Sequence, residues 1–334
     1  MRSAPSIETL SLLQEGRTEL SLSNLIQAGL DRLPLPGSGR TLERWRVLAR
    51  VAEINLSLVK LFEGHTDALA ILAELNADAP AQGTVWGTWC AEPPFARVTL
   101  TRDLDDRYYL DGTKAWCSGA AQLTHAVVSC WNEAGGACLA AVALDQAGVK
   151  MTTQGWQAVG MAATGSVDVD FCRAVAQPVG RPGDYARRPG FWHGGAGIAA
   201  CWLGGALGIA SRARESAAGN APDPHRLAHL GAIDTAIAGA SSVLRECAAA
   251  IDAEPARDAQ ALALRARLTV ENAAQSVMHH AGRALGAGPL CRDARFARAM
   301  ADLPVFLRQS HAERDLAALG RAVLEEEGPP SWQL

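Results

Sequence analysis

Aromatic side chains make up only 5% of the 334 residues while the hydrophobic fraction is 49%, so small and aliphatic side chains carry the apolar content. A hydrophobic share of that size excludes disorder as the main state. Neither sign of charge dominates. A net charge of −4 leaves no basic field to gather on a nucleic-acid backbone or an anionic membrane, and no nucleic-acid partner is expected. The eight cysteines, Cys90, Cys117, Cys130, Cys138, Cys172, Cys201, Cys247 and Cys291, form no C-x-x-C pair and no zinc-like spacing with histidine. They read as reduced core residues, and no metal is expected. The first twenty residues lack a basic segment followed by an apolar one, so a cytoplasmic location is expected.

One stretch opposes that expectation. Pro189 to Ala210 runs for 22 residues without Asp, Glu, Lys or Arg, long enough to span a bilayer. Seven of its residues are glycine, His193 lies inside it, and the sequence offers no evident second span. A helix packed closely inside a bundle is the expectation, with no membrane partner.

At this length two or three domains are expected. Residues 1–80 read as helical: Leu10, Leu13, Leu20 and Leu25 precede a loop at Leu33-Pro34-Leu35-Pro36-Gly37, and apolar residues then recur at spacings of three and four from Leu42 to Leu75. Residues 81–185 change character. Val167, Val169 and Phe171 alternate with Ser166, Asp168 and Asp170, the period of a strand with one buried face. Asp111-Gly112 reads as a turn. From 186 to 334 the pattern returns to helix, most clearly at Leu227, Leu230, Ile233, Ile237, Ala240, Leu244, Cys247 and Ile251, with Asp223-Pro224 as its cap and first turn. Further helices are expected over about 257–286 and 303–327.

Helices, then strands, then a helical bundle, together with LDGTKAWCSGA (Leu110 to Ala120), WCAEPP (Trp89 to Pro94), the strand segment Val159 to Gly183 and RDAR (Arg292 to Arg295), resemble the acyl-CoA dehydrogenase superfamily of FAD-dependent oxidoreductases. The resemblance implies an α+β multidomain fold: an N-terminal helical domain (1–80), a central antiparallel β-domain (81–185) and a C-terminal four-helix bundle (186–334). It implies FAD as cofactor, an acyl-CoA or acyl-thioester-like substrate, and a homodimer or homotetramer. It places Trp116 near the flavin, Ser118 as the hydroxyl toward the N5 edge, and Trp89 and Ala91 in the flavin segment. Ala91 stands where relatives carry a hydroxyl residue, and Gly282 falls in a glycine-containing segment near the cofactor.

Desaturation of a thioester also requires a carboxylate against the α-carbon. The resemblance locates it about nine residues after Arg292, at Ala301, or on the first long helix of the bundle, near Ile198; neither is glutamate. Asp302, one residue out of register and one methylene shorter, is the available substitute, and also reads as a carboxylate that starts the final helix. Loss of a general base costs roughly 10²–10⁴ in rate. His311, in RQSHAERDLAALG (Arg308 to Gly320), reads either as part of a solvated, ion-paired face shared with Asp315 or as an acid or base facing the flavin. Gly195-Ala196-Gly197-Ile198-Ala199-Ala200 fits a dinucleotide fingerprint by chance and reads as close helix packing. His279-His280 read as capping or surface residues. Three functions follow: an acyl-CoA dehydrogenase-like oxidoreductase, a flavin monooxygenase fed by a separate reductase, or a non-catalytic paralogue retained for assembly.

Overall fold

The computed structural model describes residues 20–218 and 223–325. Leu10 and Leu13, and Gly219 to Pro222, lie outside the described residues. Contacts divide the chain into two compact units, one from the segment up to Leu33 with Ser57–Phe191, the other from Pro34–Leu56 with Trp192 onward.

The first unit holds helices α1 (Leu22–Gln27) and, but for its first residue, α3 (Leu56–Glu74), with seven strands: β1 (Trp86–Trp89), β2 (Val98–Arg102), β3 (Tyr108–Cys117), β4 (His125–Asn132), β5 (Ala137–Ala143), β6 (Val149–Met151) and β7 (Val167–Val179). Pairing runs β1-β4-β2-β3-β7-β5, and β5 pairs back onto β4, closing a small barrel from which β1 and β6 branch. The expected antiparallel domain needs correction: β1 and β2 both run parallel to β4, so the sheet is mixed. Ala68, Ile71 and Leu72 of α3 bury against Trp86, Val127, Leu139 and Val179, which places the apolar stripe of the helix on the barrel wall.

Asp111-Gly112 is also corrected, from a turn to a position inside β3 that faces a bulge in β7: β7 advances three residues, Ala174 to Phe171, while β3 advances two, Leu110 to Gly112. Gly112 has φ +117, and a Cβ there would stand 2.2 Å from the Arg97 carbonyl oxygen. Opposite it, Arg173 takes φ 47 and donates its backbone N–H to Asp111 Oδ1 at 2.8 Å. The alternation in β7 therefore changes phase: Val169 and Phe171 are buried before it, Ala174 and Ala176 after it.

The second unit is helical: α2 (Thr41–Ile54), α5 (Gly190–Ala217, from Trp192), α6 (Pro224–Ala253), α7 (Gln260–Leu285), α8 (Ala287–Arg292), α9 (Ala294–Leu307) and α10 (Glu313–Glu325). A four-residue helix, α4 (Asp184–Arg187), precedes it in the first unit. The periodic stretch from Leu42 to Leu75 is two helices, because Asn55 is extended (φ −160, ψ 114). No side chain of its own caps α2. Asp252, near the end of α6, does so from a distance in sequence, accepting Thr41 N–H at 2.9 Å and Thr41 Oγ1–H at 2.6 Å. Asp223 caps α6 with proline in the first turn, as expected.

Close packing of α5 is real, and of the two fingerprint glycines it involves Gly197, where an added Cβ would stand 3.2 Å from Trp45 Nε1. A Cβ on Gly204 would lie 2.1 Å from Ala49 O and one on Gly208 2.7 Å from Glu53 O, whereas Gly195 has open space. No strand leads into this helix, which disposes of the dinucleotide fingerprint. Among the described residues two helices, not one, are long and apolar enough to cross a membrane: α5, 72% buried over its most apolar window, and α6, 17% buried.

Candidate functional site

Between Lys114 and Cys117, β3 carries one residue more than its partner β7. The extra residue turns Trp116 into the left-handed region (φ 58), a position that a bulky side chain rarely adopts. The result is an indole turned outward, 45% exposed, with Phe95 at 72% exposure meeting it edge to face at 5.8 Å. Leaving two large aromatic groups open in a chain so poor in them is unusual; the Trp116 indole offers a flat, polarisable wall, and Phe95, perpendicular to it, borders that wall.

Ser118 stands beside that wall. Its carbonyl accepts Trp89 Nε1–H at 3.1 Å, and its hydroxyl is 2.8 Å from Ser166 Oγ, which is 2.8 Å from Thr164 Oγ1. Trp89 is 2% exposed, so it braces Ser118 from the core and is no open wall. Trp156 likewise spends its indole N–H on the Met161 carbonyl, at 3.2 Å. Ala91 lies in the loop between β1 and β2.

Behind β3 sits a polar cluster that sequence reasoning missed. Lys114, 2% exposed, donates to Glu92 Oε1 at 2.5 Å and to the carbonyl and hydroxyl of Ser129 at 2.9 and 2.6 Å. Glu92 also accepts from Ser129 Oγ and from Trp131 Nε1 at 2.9 Å, and the Arg97 guanidinium covers the Trp131 ring at 4.6 Å. Burial pushes the Glu92 carboxyl up, but hydrogen bonds from Lys114, Ser129 and Trp131 outweigh it and hold the group below its usual value. The one available signal was Glu92-Pro93 itself; nothing in the local pattern marks Lys114 as buried.

The remaining expected site residues belong to the other unit. Asp302 is 3% exposed inside α9, so its reading as a helix start is corrected. The cap is Asp293, accepting from the backbone N–H groups of Arg295 and Phe296, both at 3.1 Å. The single helix expected over 303–327 is α9 and α10, with His311 in the link. His311 Nδ1 lies 3.3 Å from Asp315 Oδ1, and the His311 side chain is 64% exposed. Asp315 also accepts the His311 backbone N–H at 3.0 Å, which ties the turn that starts α10. Gly282 has room for a side chain, since the nearest atom to an added Cβ is Met300 Cε at 3.9 Å. His280 is not a free surface residue: its Nδ1 is 3.0 Å from His229 Nδ1 of α6. All eight cysteines are free, with Cys172 and Cys291 exposed, contrary to a wholly buried set.

No protein-family model and no curated protein matches the chain. Solved structures do. Dibenzothiophene monooxygenase TdsC from Paenibacillus sp. A11-2, in complex with FMN and indole, is 21% identical with a TM-score of 0.77, covering 98% of this chain and 92% of its own. Methanesulfinate monooxygenase MsuC from Pseudomonas fluorescens is 21% identical, TM-score 0.76, covering 92% and 90%. KijD3, in complex with FMN and a dTDP-linked amino-keto sugar, is 19% identical, TM-score 0.76, covering 92% and 87%. Agreement of that extent shows that this chain shares the fold of TdsC, MsuC and KijD3, an acyl-CoA dehydrogenase-like fold.

Proposed function

We propose that this chain is a flavin-dependent monooxygenase that receives reduced flavin from a separate reductase. The observation that carries the reading is the Trp116 face: an indole held outward by left-handed backbone, edged by Phe95, with a hydroxyl at Ser118 beside it. A flat conjugated ring with a polar edge fits those residues. Trp116 would hold the ring face, Phe95 would border it, and Ser118 would meet its edge. Bound there, a reduced flavin would supply the electrons that split dioxygen, one atom entering the substrate and the other leaving as water. The likeness to TdsC and MsuC supports this reaction class.

The acyl-CoA or acyl-thioester reading, with FAD, would rest on Asp302 as base. It is less favoured because neither expected glutamate position carries a carboxylate. FAD is the form that the family resemblance implies, and FMN the form held by TdsC and KijD3; both belong in the test. Titrating the purified protein with FMN and with FAD should give a perturbed flavin absorbance and quenched fluorescence. Trp116→Ala should weaken that binding by about fivefold, corresponding to about 1 kcal/mol of lost stacking, without lowering thermal stability, because the indole is already exposed. Oxygen uptake should then follow addition of a flavin reductase, NADH and FMN, with no desaturation of acyl-CoA. Failure to bind either flavin would sink the proposal.

A further inference from the structure

We infer that Ser118, Ser166 and Thr164 form a one-way hydroxyl chain that makes Ser118 an acceptor toward its ligand, so that the site prefers reduced over oxidised flavin. This rests on the flavin reading above. Each hydroxyl owns one proton. Thr164 Oγ1 is 2.8 Å from the Met161 carbonyl, which accepts only. The Thr164 proton is therefore committed, and the 2.8 Å contact between Thr164 and Ser166 requires the proton of Ser166. The 2.8 Å contact between Ser166 and Ser118 then requires the proton of Ser118. Three protons make three bonds, and Ser118 faces outward with lone pairs alone.

The direction is built into the backbone. Met161 (φ 58) and Gly165 (φ 48) are both left-handed and bracket the short turn Ala162–Thr164, folding the Thr164 side chain back over the Met161 carbonyl. That carbonyl also receives Thr164 N–H at 3.0 Å and Trp156 Nε1–H at 3.2 Å; the hydroxyl is the shortest of the three donors. Thr164 and Ser166 are 1% and 3% exposed, so water does not compete for their protons. Gly119 N–H donates to Thr164 O at 2.7 Å, pinning the turn to the residue after Ser118. Oxidised flavin presents a bare nitrogen acceptor at N5, and reduction converts it to an N–H donor. A Ser118 that can only accept matches the second form and repels the first. Thr164 and Ser166 are positioning residues: they act through Ser118.

The test is the ratio of FMN dissociation constants, oxidised over reduced, the latter measured anaerobically. Thr164→Val removes the terminal acceptor for Ser166, whose proton then turns to Ser118 and frees the Ser118 proton to point outward. The ratio should fall by about tenfold, the worth of one hydrogen bond, and the midpoint potential of bound FMN by about 30 mV for a two-electron couple. Thr164→Ser should restore the wild-type ratio. A merely structural role would weaken both forms alike and leave the ratio unmoved, and that result overturns the inference. Should Thr164→Val not fold, Ser118→Ala, at a partly exposed site, must lower the same ratio, and an unchanged value there overturns it equally. If wild-type protein binds FMN in both forms with equal affinity, the flavin reading stands and the inference fails; if it binds neither, both fail.

Discussion

Lys114 is a buried ammonium whose compensation comes from a carboxylate outside the core. It meets Glu92, 33% exposed on its side chain, and the Ser129 carbonyl and hydroxyl, so removing the carboxylate strands a charge rather than deleting a surface pair. Glu92→Gln should destabilise the protein by about 1–3 kcal/mol in urea unfolding at neutral pH. The pH dependence has a defined sign. Because the carboxyl of Glu92 titrates below its usual value, its contribution is present above the ordinary carboxylate range and lost as pH falls through the lowered folded value. The variant should therefore show a flatter fall in urea midpoint between neutral and acid pH than wild type. A parallel pair of curves would remove Glu92 as the counter-charge.

Elements in this protein are set as much by where backbones approach as by hydrophobic period. Gly204 and Gly208 let α5 meet α2 through backbone atoms, while Gly231 of α6 has nothing within 4 Å of an added Cβ. Gly204→Ala should cost about 1–3 kcal/mol through forced separation of the two helices. Gly231→Ala should stabilise by roughly 0.5–1 kcal/mol through reduced freedom of the unfolded chain. Thermal melts of the two variants should move in opposite directions, and a stabilised Gly204→Ala would refute the packing. The helix ends follow a related logic: Asp293 caps α9 locally, whereas Asp252 caps α2 from 211 residues away. A local cap lies within reach of sequence reasoning; the second exists only after folding.

For the whole molecule, α6 leaves an apolar helix largely uncovered, 17% buried over its most apolar window, with Leu227 45% exposed. An exposed surface of that kind is costly in water. In line with the family resemblance, a homodimer or homotetramer is expected, and light scattering of the purified protein should return a multiple of 35.1 kDa; a monomer at micromolar concentration would refute the assembly. Association of copies through α6 would also account for the apolar length of this helix.

The order of helices, strands and helices was legible, because the 3.6 and 2.0 residue periods are written locally at Leu227 to Ile251 and at Val167 to Phe171. So was the α6 cap at Asp223-Pro224, whose residue types signal their own geometry. What only the tertiary structure decided is how non-local partners use those residues. The parallel pairing of β1 and β2 with β4 and the bulge in β7 opposite Gly112 each depend on atoms far away or on a one-residue phase that composition does not encode. The buried ammonium of Lys114 and the proton order from Ser118 to Met161 belong to the same class. A hydroxyl's direction is set by the last acceptor in its chain, and that acceptor lies 43 residues from Ser118 in sequence, joined to it only by the fold.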